Sequence, residues 1–206
     1  MLNTESNGGS EHWARVYSEK AVDSVSWYQA EPTLSLTMIV RAAAPPAQVI
    51  DVGGGTSFLV DRLLVKGYRP AVLDIAAEPL DVVKARLGSA AEDVDWLVAD
   101  VTMFNPAKKW DVWHDRAVYH FLTDGQDRDR YRQSVLRATK IGSSVIVATF
   151  GPNGPARCSG LPTVRYAPEE LRREFPDLEL MEAAEENHQT PGGSIQPFIY
   201  CRFRRE

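Results

Sequence analysis

Residues 1–10 are rich in Asn, Ser and Gly and show no apolar period, a composition that predicts a disordered tail. Two short runs with helical spacing follow, EHWARVYSEK and EPTLSLTMIVRAA, on either side of an aromatic patch at Trp27 and Tyr28. They predict a helical cap over residues 11–45. From residue 46 the pattern changes. AQVIDVGG is a short apolar run ending in glycines, and SFLVDRLLVKG follows at helical spacing, with Gly67 suited to the position just past a helix end. The alternation continues through PAVLDI, AEPLDVVKARLGS, DWLVAD, DVWHDRAV, GQDRDRYRQSVLRATK and SSVIVATF. Strands alternating with helices predict an α/β fold, a doubly wound three-layer sandwich whose mostly parallel sheet carries helices on both faces. Near the C-terminus, LELMEAAEENHQT and IQPFIYCRFRR flank a PGG turn with no helix between them. That predicts a hairpin, and so an antiparallel C-terminal strand, because a tight turn reverses the chain. Residues 46–206 then form the α/β core, and 11–206 make one domain.

Charge and composition narrow the partners. The 206 residues carry 23 Lys and Arg against 28 Asp and Glu, a net charge of −5. That balance attracts neither phosphate backbones nor anionic lipid, so neither nucleic acid nor a membrane is an expected partner. The start lacks the cationic and apolar regions of a secretory signal, and no apolar run approaches the roughly 20 residues of a membrane span. A cytoplasmic location is expected. Cys158 and Cys201 are too few for a disulfide framework or a zinc site.

The candidate chemistry begins where the first strand ends, in Asp51-Val52-Gly53-Gly54-Gly55-Thr56-Ser57. Open parallel sheets bind ligands at their carboxyl edge, and glycines let the backbone approach them; a steric turn is the alternative role for such a loop. The nicotinamide-dinucleotide fingerprint would need glycine at Phe58, which counts against an oxidoreductase. Asp74 ends the second strand nineteen positions after Gly55, a spacing from which a carboxylate accepts from ribose hydroxyls. Asp100 ends the third strand and can accept from an exocyclic amino group.

With these motifs and DVWHDRAVYHF, the chain from about Val49 onward resembles the seven-stranded, class I S-adenosylmethionine-dependent methyltransferases. The resemblance implies a Rossmann-like, seven-stranded sheet and S-adenosylmethionine as cofactor, with S-adenosylhomocysteine as product. It also implies that Asp51, Gly53 and Gly55 wrap the methionine part, that Gly54 and Ser57 of the same loop bind the cofactor, that Asp74 with Ile75 holds the ribose, and that Asp100 with Val101 lies by the adenine. Ser57 departs from the usual pattern, which has a further glycine there. The stretch WHDRAVYHFL is similar to the D-R-x-x-L segment of the thiopurine and tellurite-resistance type, in which the Arg approaches the substrate side.

Methyl transfer from a sulfonium is an in-line displacement that needs alignment and, for some acceptors, removal of a proton, but no metal. The catalytic candidates past the fourth strand are His114, Arg116 and His120; either imidazole can serve as a base near pH 7, with packing or surface roles as the alternative. Asp115 is counted with the cofactor side; a pair between Asp115 and Arg116, or a helix cap, is the alternative. Tyr28, Tyr119, Arg157, Cys158 and Arg165 are the substrate candidates, the last three from the Pro- and Gly-rich loop Gly151–Ala167, where two arginines suit an anionic acceptor. Trp27, with Trp13 and Tyr28, is expected to close over the cofactor. The N-P-P-Y type tetrapeptide of DNA and glutamine methyltransferases is absent after the fourth strand. The expected function is methyl transfer to a small molecule. The alternatives are methylation of a protein side chain such as lysine, a cofactor-binding domain without turnover, and a nicotinamide-dependent oxidoreductase.

Overall fold

The computed structural model describes residues 8–206. The tail expectation falls mainly on residues 1–7, outside the described residues, and its last residue, Ser10, already begins a helix. The elements are α1 (Ser10–Glu19), α2 (Thr33–Ala42), β1 (Gln48–Val52), α3 (Leu59–Val65), β2 (Arg69–Asp74), α4 (Glu78–Leu87), β3 (Asp95–Val98) and β4 (Trp110–Arg116). There follow α5 (Gly125–Ala138), β5 (Thr139–Phe150), the two-residue strands β6 (Arg157–Cys158) and β7 (Leu161–Pro162), α6 (Pro168–Glu174), β8 (Leu178–Gln189) and β9 (Ile195–Arg205).

The main sheet has seven strands in the order β3-β2-β1-β4-β5-β9-β8. All pairs from β3 to β5 are parallel, whereas β9 runs antiparallel between β5 and β8. The hairpin read from the PGG turn therefore supplies the two strands that complete the sheet. Its turn closes through Thr190 N–H donating to the Ser194 carbonyl at 2.9 Å, with Gly193 at φ +83.

The central strands are apolar on successive residues because both their faces are covered. On one face Met38 and Ile39 of α2 and Leu59 and Leu63 of α3 pack over Val49, Val112, Ile146 and Ala148. Leu80 and Val83 of α4 extend that layer onto Val72. On the other face Tyr131, Val135 and Ala138 of α5 and Leu171 of α6 cover Ile50, Leu73, Trp113, Val145 and Val147. Fully burying a side chain of this size contributes about 1.5–3 kcal/mol, so these two layers hold the sheet between its helices.

Helix α3 stops where the sequence predicts: Gly67 takes φ +79, its N–H donates to the Leu64 carbonyl, and Tyr68 N–H donates to the Leu63 carbonyl. The end of α5 differs from expectation. Thr139 and Lys140, read as helical, belong to β5, and Thr139 pairs with Trp110. The cause is tertiary: the Arg205 guanidinium donates to the Leu136 and Thr139 carbonyls at 2.6 and 2.5 Å, and the Thr139 hydroxyl donates to the Val135 carbonyl at 2.7 Å. These bonds satisfy the terminal carbonyls and release the backbone into the strand.

β1 lies between β2 and β4, so the crossovers leave its carboxyl end in opposite directions. A crevice opens at that switch point.

Candidate functional site

Two adjoining cavities occupy the crevice, about 860 and 510 Å3 with their open mouths included, and Trp27, Gly53 and Arg116 line both. The larger one lies within the ~300–1,000 Å3 of small-molecule sites.

The floor is the turn after β1. Gly53 and Gly55 take φ of +64 and +49, a region side chains other than glycine rarely adopt. A Cβ would also collide at each glycine: with Val118 at Gly53, with Val72 at Gly54 and with the Tyr17 hydroxyl at Gly55. The turn is pinned from β2, since Gly53 N–H donates to the Leu73 carbonyl at 2.7 Å and Gly55 N–H to Asp74 Oδ2 at 3.0 Å. From α4, Arg86 donates to the Thr56 and Ser57 carbonyls at 2.9 and 2.7 Å while paired with Asp61 at 2.6 Å. Its guanidinium lies 4.1 Å from the centroid of Phe58, which explains the aromatic residue where a dinucleotide fold would want glycine. Ser57 Oγ accepts from Leu59 N–H at 3.1 Å, satisfying one free donor at the start of α3.

Asp74, only 5% exposed, lines the larger cavity with its oxygens accepting from Ala76 and Gly55 N–H at 3.0 Å. Burial pushes its carboxyl up to about 6, against the pull of those backbone donors. Asp100 accepts the Thr102 amide and hydroxyl on one oxygen, each at 2.8 Å, and lines the same cavity with Ile75 and Val101. Asp51 lines the smaller cavity with Gly54 and Ser57; its carboxylate lies 2.7 Å from His114 Nδ1 across the β1 and β4 register. His114 Nε2 is buried there with no protein partner among the described residues. Gly55 lies beneath Tyr17 and lines neither cavity.

The roof comes from the cap. Trp13, Tyr17 and Trp27 line the larger cavity, with Trp27 edge-on to the other two at 5.9 and 6.1 Å and Trp13 edge-on to Phe121 at 5.1 Å. Tyr28 faces Phe58 at 6.2 Å beside the smaller cavity. Arg116 ties this roof to the sheet: it donates to the Trp27 carbonyl at 3.1 Å and the Tyr200 hydroxyl at 2.8 Å, and meets Glu186 at 3.4 Å. Cys158 also lines the larger cavity, with Sγ 3.8 Å from Ser26 Oγ, and burial pushes its thiol up, which keeps it protonated.

Besides Gly55, four expected site residues lie outside both cavities. Asp115, counted with the cofactor side, is fully buried under the turn after β4 and accepts from Val118 N–H, Tyr119 N–H and the Tyr131 hydroxyl at 2.9, 3.1 and 2.6 Å. Strand alternation sends it to the α5 face, away from His114 and Arg116. Tyr119 is a core residue as well, packed on Tyr131 and Phe175 with its hydroxyl donating to Glu174 at 2.8 Å. Arg157 is exposed and donates to the Gly160 carbonyl across the β6 and β7 turn. Arg165 is exposed too, and neither arginine lines either of the two cavities. The anionic-acceptor expectation loses its support with them. Conversely, Tyr17, Arg86, Gln196 and Phe198 have site positions that no local motif announces.

The donor set fits the implied cofactor. Asp74 and Asp100 offer acceptors for a nucleoside's hydroxyl and amino groups beside the apolar walls of Ile75, Ala99, Val101 and Leu122, and the orphaned His114 Nε2 with Asp51 gives the adjoining cavity a polar end.

Residues 50–147 match a family model described as a methyltransferase domain. Malonyl-[acyl-carrier protein] O-methyltransferase 1 of Ilyobacter polytropus is 24% identical over 134 residues, 64% of this chain and 48% of that protein. The chain thus spans about half the length of the curated relatives it matches. Among solved structures, one concerning conversion of a disulfide bond into a thioacetal group during echinomycin biosynthesis has TM-score 0.77 at 18% identity, covering 96% of this chain and 93% of that one. TehB from Haemophilus influenzae has TM-score 0.67 at 13% identity, covering 96% of this chain and 67% of that one. Sequence match and strand order agree: residues 50–147 match a methyltransferase domain, and the seven-stranded sheet with its antiparallel C-terminal strand has the Rossmann-like methyltransferase fold, with structural similarity to TehB.

Proposed function

We propose that this chain transfers the methyl group of S-adenosylmethionine to a small-molecule acceptor held in the outer part of the larger cavity. The observation that carries the reading is the aromatic lining: Trp13, Trp27 and Phe121 bound the same cavity as Asp74 and Asp100. An aromatic wall of this kind suits a small acceptor seated beside the cofactor.

The bound cofactor supplies an electrophilic methyl on a sulfonium that is already positive. The chain's own residues position and enclose. Asp74 and Asp100 accept from the nucleoside end, the glycine turn permits close approach, and Asp51 with His114 meets the polar end. Arg116 holds the Trp27 segment in place, which excludes water from the reacting centre. The proposed setting is the cytoplasm, supported by free thiols at Cys158 and Cys201. Among the described residues, no helix is long and apolar enough to cross a membrane.

Incubation of the protein with methyl-labelled cofactor and cell extract tests the acceptor class. The reading expects label in the small-molecule fraction; label confined to precipitated protein would favour side-chain methylation instead.

A further inference from the structure

We propose that His120 binds the methyl acceptor as a hydrogen-bond donor, through Nε2–H to an oxygen or nitrogen lone pair, and does not remove its proton. The proposal rests on the methyl-transfer reading above and names how that site holds its acceptor.

His120 is fully buried in the turn after β4 and lines the larger cavity. Its ring is stacked on Phe150 at 4.3 Å and flanked edge-on by Phe121 at 4.6 Å, so its plane is fixed. Its carbonyl accepts from Val164 N–H at 2.8 Å, which fixes the backbone as well. Nδ1 lies 3.3 Å from the Phe150 backbone N–H, which points at it. A backbone amide only donates, so Nδ1 must present its lone pair. A neutral imidazole has a single N–H, and it must then sit on Nε2. That nitrogen is buried with no protein partner among the described residues. A buried donor without a partner is costly, and its natural partner is a ligand atom in the cavity it lines.

A base would need the lone pair on Nε2 instead. Moving the proton to Nδ1 would set two N–H groups against each other, and a doubly protonated ring would carry its charge into an apolar pocket beside Arg116. Burial and the Arg116 charge agree, holding the imidazole down at about 3. His114 has the opposite arrangement. Its Nδ1 faces the Asp51 carboxylate, which accepts, so that nitrogen carries a proton, whereas Nδ1 of His120 presents a lone pair. Two histidines six positions apart thus hold Nδ1 in opposite roles beside adjoining cavities. Gln196 of β9 adds a second polar anchor, since it lines the larger cavity and its buried Oε1 also lacks a protein partner among the described residues. With the cofactor bound, an acceptor lone pair other than the one His120 engages would form the bond to the methyl carbon, the pair of the C–S bond would return to sulfur, and any acceptor proton would leave to solvent.

Two measurements test the proposal on the full chain saturated with S-adenosylhomocysteine. Long-range 1H–15N spectra of histidine-labelled protein should show His120 as the Nε2–H tautomer, unchanged from pH 6 to 9. An Nδ1–H tautomer, or titration within that range, would overturn it. Quinoline and naphthalene, which share a shape but differ by one ring-nitrogen lone pair, then probe the donor by titration. Wild type should prefer quinoline about tenfold, the scale of one net hydrogen bond. His120→Phe should lose that preference, and His120→Gln, which retains a donor, should keep part of it. Equal binding of the two probes to wild type would overturn the proposal. Absence of S-adenosylhomocysteine binding would strike the methyl-transfer reading instead, and the tautomer result stands apart from it.

Discussion

At Asp74 two requirements meet on one carboxylate. It braces the glycine turn by accepting from Gly55 N–H, and in the proposed function it also offers lone pairs to a ribose in the cavity. Burial raises its folded pKa to about 6, above its ordinary value of 3.8. For an acid shifted upward, the contribution to folding is fully present when the group is protonated and is lost as pH rises through about 6. Binding runs the other way, because hydroxyl donors prefer the ionised form. S-adenosylhomocysteine should therefore bind more tightly as pH rises from 5 to 7, with a midpoint near 6. Asp74→Asn should flatten that rise and weaken binding at pH 7.5 by about 1–3 kcal/mol, as isothermal titration would show. Asp115 is also pushed up to about 6, but it lines neither cavity, so it affects folding and leaves the binding profile to Asp74. A profile unchanged in Asp74→Asn would remove the ribose role.

At the scale of elements, the cofactor turn is held from outside itself. Helix α1 rests Tyr17 over Gly55, burial raising that phenol's pKa further above its ordinary value, while α4 sends Arg86 to two turn carbonyls and to Asp61. The Arg86 and Asp61 side chains are only 21% and 18% exposed, so the pair is better shielded than an open surface ion pair. Arg86→Ala should lower unfolding stability by about 1–3 kcal/mol in denaturant titration and weaken S-adenosylhomocysteine binding about tenfold, because the turn carbonyls lose their donor. Arg86→Lys should recover only part of this, since an ammonium cannot span two carbonyls and a carboxylate in one plane. A stable Arg86→Ala protein with wild-type affinity would show that the turn is rigid without its clamp.

Across the whole molecule, what the sequence showed follows from which forces are local. Apolar runs such as VIDV and SSVIVATF reveal buried strands because both of their faces must be covered, and the PGG turn between apolar runs forces a reversal wherever it lies. The turn and its acids were legible for the same reason: Gly53, Asp74 and Asp100 take their places from strand ends. Side chains beyond the strands were not. Tyr119 and Asp115 sit beside the crevice in sequence, yet strand alternation and the turn after β4 carry them to the α5 face. Arg157 and Arg165 stand on a loop whose small β6 and β7 ribbon leaves them facing solvent. Tyr17 and Arg86 reach the turn from helices whose docking no short motif encodes.

The central claim is that the crevice at the β1 and β4 switch point binds S-adenosylmethionine. Calorimetric titration of the purified protein with S-adenosylhomocysteine, with NAD as control, tests it most directly. The account predicts micromolar binding of S-adenosylhomocysteine, about 8 kcal/mol, and none of NAD. Binding of neither, or of NAD alone, would contradict it.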